Sequence, residues 1–517
     1  MQLAAAPPVM DRKPDGRRRV LGLLLIAPAV IALILGYVWP AVDTVLLSFQ
    51  RRIMFKDGSE WIGLDNYTSK DGLGWASYGN VFLAVLVPLL VVTVVAFGLA
   101  IAGSVAGTSG RRVVRLALVL PMVAPAGGLL ALAWHTFGAD GVRLPVTVIV
   151  WLSTFGLLCG VGATVYLAAL RRDPGKGLTT RLWSVATVAA LLSIGVVAAG
   201  LQLFSVAVLP YSATTGQFPV NRIFRSAILS FSLGGAAAVA TPLLVVLAVL
   251  GVAATAIVVA TRLCATVEPA KSTPRNAPAL VATIVGSIIV LGITVLGLIP
   301  WLIDAGEVEP HIAGTVAGTM IASLLPPVVS TVVSIVLALL AAIGISVVRP
   351  LGDRSEWLLM LFAPFLFVGT APLLPGSFHT DTISDFTGLI PPVWIAVPAL
   401  LIFSVFLRGQ CERYAPASAG DVVVKVILPV LPLVLLVGGA MWVVQSQDLF
   451  WQLNYSPNGA GTGLVTVFSV VQGSFGVPKH LPLGLALPIW LVVVTAIGLA
   501  VLQIFYLDRL AIRIRDE

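Results

Sequence analysis

The sequence predicts an all-α polytopic membrane protein, with about 12 transmembrane helices in two six-helix repeats and both termini cytoplasmic. Three observations predict it. Hydrophobic residues make up 58% of the 517-residue chain and charged residues only 10%, against about 25% charged in soluble proteins. Apolar runs of spanning length recur along the whole chain. Of the 31 Lys and Arg residues, 23 fall in the predicted inner segments and 8 in the outer loops, the asymmetry that orients membrane proteins. The basic excess therefore points to a lipid bilayer and not to nucleic acid.

Residues 1–19 read as a cytoplasmic tail whose Arg17, Arg18 and Arg19 precede an apolar run from Val20 to Pro40. That run is too long for a secretory core and lacks a small-residue cleavage site, so it reads as an uncleaved first helix. The first half, 20–260, has apolar runs at 20–40, 81–103, 113–134, 145–170, 183–209 and 227–260. The polar, Pro-containing stretch 261–276 reads as a cytoplasmic linker. The second half, 277–507, has runs at 277–303, 319–347, 357–374, 390–407, 424–446 and 482–507. Residues 508–517 form a second cytoplasmic tail. In both halves the inner loop between the fourth and fifth runs is polar: RRDPGKGLTTR (171–181) and RGQCERYAPASAGDVVVK (408–425).

Several chemistries are missing. The chain has no GxxxxGK[ST], HExxH or GxSxG motif, so nucleotide, zinc-protease and serine-hydrolase readings fall away and no cofactor is expected in it. The four histidines, including His311, His379 and His480 in outer segments, have no metal-ligand spacing, so no metal site is expected. The three cysteines imply no disulfide framework. Charges inside the apolar runs are scarce, which argues against proton or sodium coupling. The polar groups there are neutral or aromatic: Trp134 and His135, Gln202, then Trp442 and Gln445. Aromatic faces with amide donors suit a hydroxyl-rich neutral solute such as a sugar. The same residues also serve as interfacial anchors or as bonds between helices. Two six-helix halves of like orientation suggest a transporter with its path between them. A membrane-embedded enzyme or a scaffold are the alternatives.

The stretch LGLLLIAPAVIALILGYVWPAVDTVLLSF (21–49), followed by WIGLDNYT (61–68), resembles the opening of permease subunits of binding-protein-dependent type I ABC sugar importers. The matching residues are Tyr37, Pro40, Ser48, Phe49, Gly63, Leu64, Asn66 and Tyr67, and the likeness continues through Pro121, Pro125 and Trp134. FTGLIPPVWIAVPALLIFSVFLRG (386–409) is similar to the partner permease, so the chain resembles two permeases fused in tandem. The resemblance implies a plasma-membrane permease, not itself an enzyme, with ATP-Mg on separate cytoplasmic ATP-binding subunits and an extracytoplasmic solute-binding protein on loops 50–80 and 447–480. It assigns coupling to the inner loops, through Arg171, Asp173, Gly175 and Arg181 in the first and Glu412, Gly420 and Asp421 in the second. The family's EAA-x3-G-x9-I-x-LP pattern is degenerate here. Val426, Leu428 and Pro429 keep its tail, while its EAA places fall on Gln410, Cys411 and Glu412 and its glycine place on Pro416.

GSVAGTSGRR (103–112) is also similar to the inner loop of major-facilitator carriers, with Gly107 in place of their aspartate. A secondary carrier is therefore one alternative. A non-transporting scaffold or degenerate permease is the other.

Overall fold

The computed structural model describes residues 16–56, 58–68, 75–125, 127–137, 144–171, 178–204, 218–269, 274–307, 315–377, 395–415, 418–455, 461–473 and 480–514. The chain opens with α1 (Gly16–Leu47), then a hairpin of β1 (Gln50–Arg51) and β2 (Glu60–Trp61). Next come α2 (Ser77–Val105), α3 (Gly107–Val123), α4 (Gly127–Phe137), α5 (Val146–Leu170), α6 (Leu178–Leu201), α7 (Pro219–Phe224), α8 (Leu233–Ala260) and β3 (Cys264–Val267). The remainder contains α9 (Ala277–Asp304), α10 (Val316–Val348), a run of short turns over 352–377, α11 (Val397–Tyr414) and α12 (Ala419–Ser446). It ends with α13 (Leu449–Tyr455), α14 (Gly463–Gly473), α15 (Ile489–Phe505) and β4 (Leu510–Arg513).

This is a helical, multi-pass membrane protein. Among the described residues, nine helices are long and apolar enough to cross a bilayer, and the α3–α4 pair, bent by 67°, makes a tenth if it is one span. Val281, Ile288, Leu435, Val494 and Ile497 stand exposed on α9, α12 and α15. Apolar surface on that scale suits lipid, not water.

Two expected spans differ from the sequence reading, one by being broken and one by where its described helix ends. Residues 357–374 form 3₁₀ and one-turn helical pieces, not a continuous rod. Pro364, Pro372 and Pro375 explain this, since each removes a donor and crowds the carbonyl four residues back. Elsewhere the same clash is absorbed by a wider turn. α1 has a π-turn at Ile34–Val38 just before Pro40, and α12 one at Val423–Ile427 just before Pro429. The 390–407 run becomes α11, whose last turns carry Arg408, Glu412 and Arg413.

The packing is reciprocal. α1 lies along α10, where a Cβ on Gly344 would sit 3.0 Å from the Gly22 carbonyl oxygen. α9 lies along α2, α3, α4 and α5, with Gly297 pressed on the Leu152 carbonyl. Small residues allow such approach where lipid gives no hydrophobic drive. α8 packs on segment 352–377, and α15 packs on α3. So the first and last long helices of residues 16–267 clasp elements of residues 277–513, and the reverse. The strands that follow α8 and α15 then pair with each other, antiparallel, from Cys264↔Arg513 to Val267↔Leu510.

Candidate functional site

The broken segment 352–377 is the place to begin, because an interrupted helix leaves backbone groups that need partners elsewhere. Gln202, at the end of α6, meets two of them. Its Nε2 donates to the Phe367 carbonyl at 2.7 Å, and its Oε1 accepts the Gly369 N–H at 2.8 Å. Thr370 Oγ1 donates to Asp448 Oδ2 at 3.3 Å, while Asp448 Oδ1 accepts the Trp451 N–H in the first turn of α13. Phe204 stacks edge-on against Phe224 and Phe450, with ring centres 5.2 and 4.9 Å apart. This junction joins α6 and α7 to the 352–377 turns and to α13.

Asp448 is the residue that sequence reading missed. It follows the α12 span and is half-buried, and desolvation there pushes its carboxyl up from the usual value against the pull of its hydrogen bonds. The folded state thus binds a proton that the unfolded chain has already released. Stability is highest at low pH and falls as pH rises from the ordinary aspartate value toward the folded one, by at most about 1.4 kcal/mol per pH unit. Asp448→Asn keeps the cap of α13 and should flatten this part of the profile, measured as melting midpoint against pH in detergent. An unchanged slope in the variant would place the pH dependence elsewhere.

The other expected pathway residues fall in two places. Trp134 Nε1 donates to the Gly297 carbonyl on α9 at 2.9 Å, tying α4 to the other half of the chain. Trp442 Nε1 donates to the Leu324 carbonyl on α10 at 2.9 Å, and Gln445 Oε1 accepts the Thr331 hydroxyl at 3.1 Å. His135 belongs to α4, and its side chain lies outside the described residues. The indole and amide heads thus bind neighbouring segments, and the four described side chains hold different partners: Trp134 on α9, Gln202 on segment 352–377, and Trp442 and Gln445 on α10. The residues behind the permease resemblance do similar work. Asn66 Nδ2 holds the Ser48 and Gln50 carbonyls, Tyr67 donates to Ser48, and Tyr37 donates to the Ile395 carbonyl.

The opposite end collects the basic segments. Arg18 reaches the Val348 carbonyl, and Arg111 and Arg115 pair with Asp508. Arg171, Arg413 and Arg513 all converge on Glu268. Glu356 holds Arg349 at 3.1 Å and Arg408 at 2.7 Å.

Here the expected loop 408–425 is corrected. α11 continues to Tyr414, and Arg408, Gly409, Gln410 and Cys411 are buried. Glu356 and Glu412 neutralise Arg408, which lets a charged turn stay inside, and β3 lies so close that a Cβ on Gly409 would be 2.3 Å from the Ala265 carbonyl. Ala415, in the left-handed region at φ 40°, ends the helix, and Ser418 caps the next by accepting the Asp421 N–H. Glu412 bonds Arg408, and Gly420 and Asp421 start α12, with Asp421 paired to Lys425. Arg171 ends α5 against Glu268. Asp173 and Gly175 lie outside the described residues, as does the side chain of Arg181. Among the described residues no three His, Cys, Asp or Glu side chains group as metal ligands. The GSVAGTSGRR stretch forms the tight corner between α2 and α3, with Gly107 at φ 81°.

No family model matches the chain, and no curated protein matches it. The resemblance to sugar-importer permeases rests on the quoted residues alone.

Proposed function

We propose that this chain is a membrane permease that moves a small sugar-like solute by alternating access, as the transmembrane part of an ABC-type importer in the plasma membrane. The observation that carries the reading is the reciprocal packing, in which α8 crosses onto segment 352–377 and α15 onto α3. Two halves clasped this way can rock about their shared boundary. The broken segments at that boundary offer backbone groups to a polar solute. To the nine long apolar helices among the described residues the reading adds the α3–α4 pair, segment 352–377 and α11 as crossings, for twelve in two six-helix halves with both termini cytoplasmic. ATP-Mg belongs on partner subunits docking at the arginine-bearing end near Glu412 and Gly420, and a solute-binding protein at the other.

One observation favours a second reading, the scaffold. Arg408–Cys411 are buried under β3, so among the described residues no separate helix projects between α11 and α12 for an ATPase to grip. Reconstitution separates the two. The chain, extracted with its native partners and placed in vesicles, should take up a labelled sugar from a mono- and disaccharide panel when ATP is supplied on the cytoplasmic side. Gly420→Trp, at a site where a Cβ meets only Ser418 Oγ at 3.9 Å, should fold normally and cut uptake about tenfold. Uptake driven by a proton gradient without ATP would favour a secondary carrier. No uptake under either condition would favour the scaffold.

A further inference from the structure

Arginines gather around β3 and β4. Glu268, its side chain 3% exposed, receives Arg171, Arg413 and Arg513. Asp508 receives Arg111 and Arg115. Five guanidinium groups thus lie close together around these two carboxylates. The two groups form one field. Burial lowers the tendency of Arg171 to hold its charge, Asp508 raises it, and Arg111, Arg509 and Arg413 lower it again. Crowding like charges in a poorly hydrated place is costly unless opposite charge compensates.

A second observation points at a ligand. The Arg171 side chain is 10% exposed. Its Nη2 donates to the Pro269 carbonyl at 2.9 Å and its Nε lies 3.5 Å from Glu268, yet its Nη1 is buried with no acceptor. A buried guanidinium N–H without an acceptor is expensive, and a planar fork is the shape that binds tetrahedral oxyanions in pairs of hydrogen bonds. The way in is also basic. Arg413 and Arg513 keep 29% and 24% of their side chains exposed, and Arg509 is exposed beside them.

We infer that the junction of α5, α11, β3 and β4 binds a phosphate-bearing anion, with Arg171 as the buried anchor and Arg413 and Arg513 on the rim. Because the site straddles the β3–β4 pair, a bound anion ties the last strand of one half to the last strand of the other. The inference does not depend on the transport reading. Phosphate groups of this kind come from soluble compounds or from lipid headgroups, and the chemistry at Arg171 is the same for both.

The test uses the full chain purified in neutral detergent. Inorganic pyrophosphate is titrated at constant ionic strength while the melting midpoint is followed, and phosphatidic acid in mixed micelles forms a parallel arm. The midpoint should rise saturably in at least one arm, with no rise from sodium chloride at matched ionic strength. Arg171→Met should raise the half-saturating concentration about tenfold. Arg51→Met, whose exposed pair with Glu60 lies in the β1–β2 hairpin, should leave it unchanged. If Arg171→Met gives no folded protein, Arg413→Gln on the rim decides by the same readout. A rise with pyrophosphate identifies a soluble phosphate compound, and a rise with phosphatidic acid alone identifies a headgroup. No rise in either arm, an equal rise with chloride, or a rise that survives the arginine substitutions overturns the site.

Discussion

Glu356→Ala should cost about 3–5 kcal/mol of stability, the range for removing one partner of a buried ion pair. Glu356 has both carboxylate oxygens engaged, one with Arg349 and one with Arg408, and its side chain is only 11% exposed. Arg408 is more buried still and sits inside α11. Without Glu356, Arg408 keeps Glu412, and Arg349 keeps only Asp353 at 3.8 Å, which is nearly fully solvated. Arg349 is poorly placed to swing out to water, because it also ends α10 in the left-handed region at φ 54°. The loss therefore comes mostly from stranded positive charge and not from a missing attraction. That distinction is measurable. Glu356→Ala combined with Arg408→Met should be more stable than Glu356→Ala alone, since the second change removes the more deeply buried of the two positive charges left behind and keeps its packing volume. Thermal melting of the purified protein in mild detergent reads both. A single variant within about 1 kcal/mol of the parent would mean that water reaches this cluster freely.

Much of the fold was legible because lipid imposes a simple code. Apolar length marks a crossing, and nine of the expected runs appear as helices of spanning length with ends shifted by several residues. Prolines were visible but ambiguous. Pro40 and Pro429 follow π-turns inside continuous helices, while 352–377, with Pro364, Pro372 and Pro375 close together, is broken into short pieces. The block 408–425 misled for a related reason. Polar composition signals a surface only when charges lack partners in the fold, and Arg408 adds Glu356 to its local partner Glu412 while Arg413 reaches Glu268, both distant in sequence. Asp448 was hidden in the same way, since its bond to Thr370 joins residues 78 positions apart. Trp134, Gln202, Trp442 and Gln445 were visible as polar groups in apolar runs. Their targets are backbone carbonyls, an N–H and a threonine hydroxyl, which composition does not reveal.

Gly251→Leu tests the contact on which the two-half architecture depends. α8 crosses onto segment 352–377 with Gly251 against the Ala363 carbonyl, where even a methyl group would sit 2.2 Å from the oxygen and 3.2 Å from Leu366 Cβ. The obstacle is backbone, so no rotamer change relieves it. The Ala363 carbonyl is also fixed in place, because it accepts the Leu366 N–H at 3.1 Å within a turn that Pro364 constrains. Gly251→Ala should therefore already destabilise by about 1–3 kcal/mol, and Gly251→Leu by more, as overpacking against a rigid neighbour does. The control is a glycine inside another long apolar helix but in open surroundings. A methyl group on Gly292 of α9 would meet nothing within 4 Å, so Gly292→Leu should stay within about 0.5 kcal/mol of the parent. Melting in detergent compares the three variants. If Gly251→Leu melted with Gly292→Leu, α8 would not press on the broken segment, and the reciprocal packing would lose one of its two clasps. If it melts early, the halves are held apart by a distance that a single side chain can change. That is the mechanical condition that rocking between two access states requires.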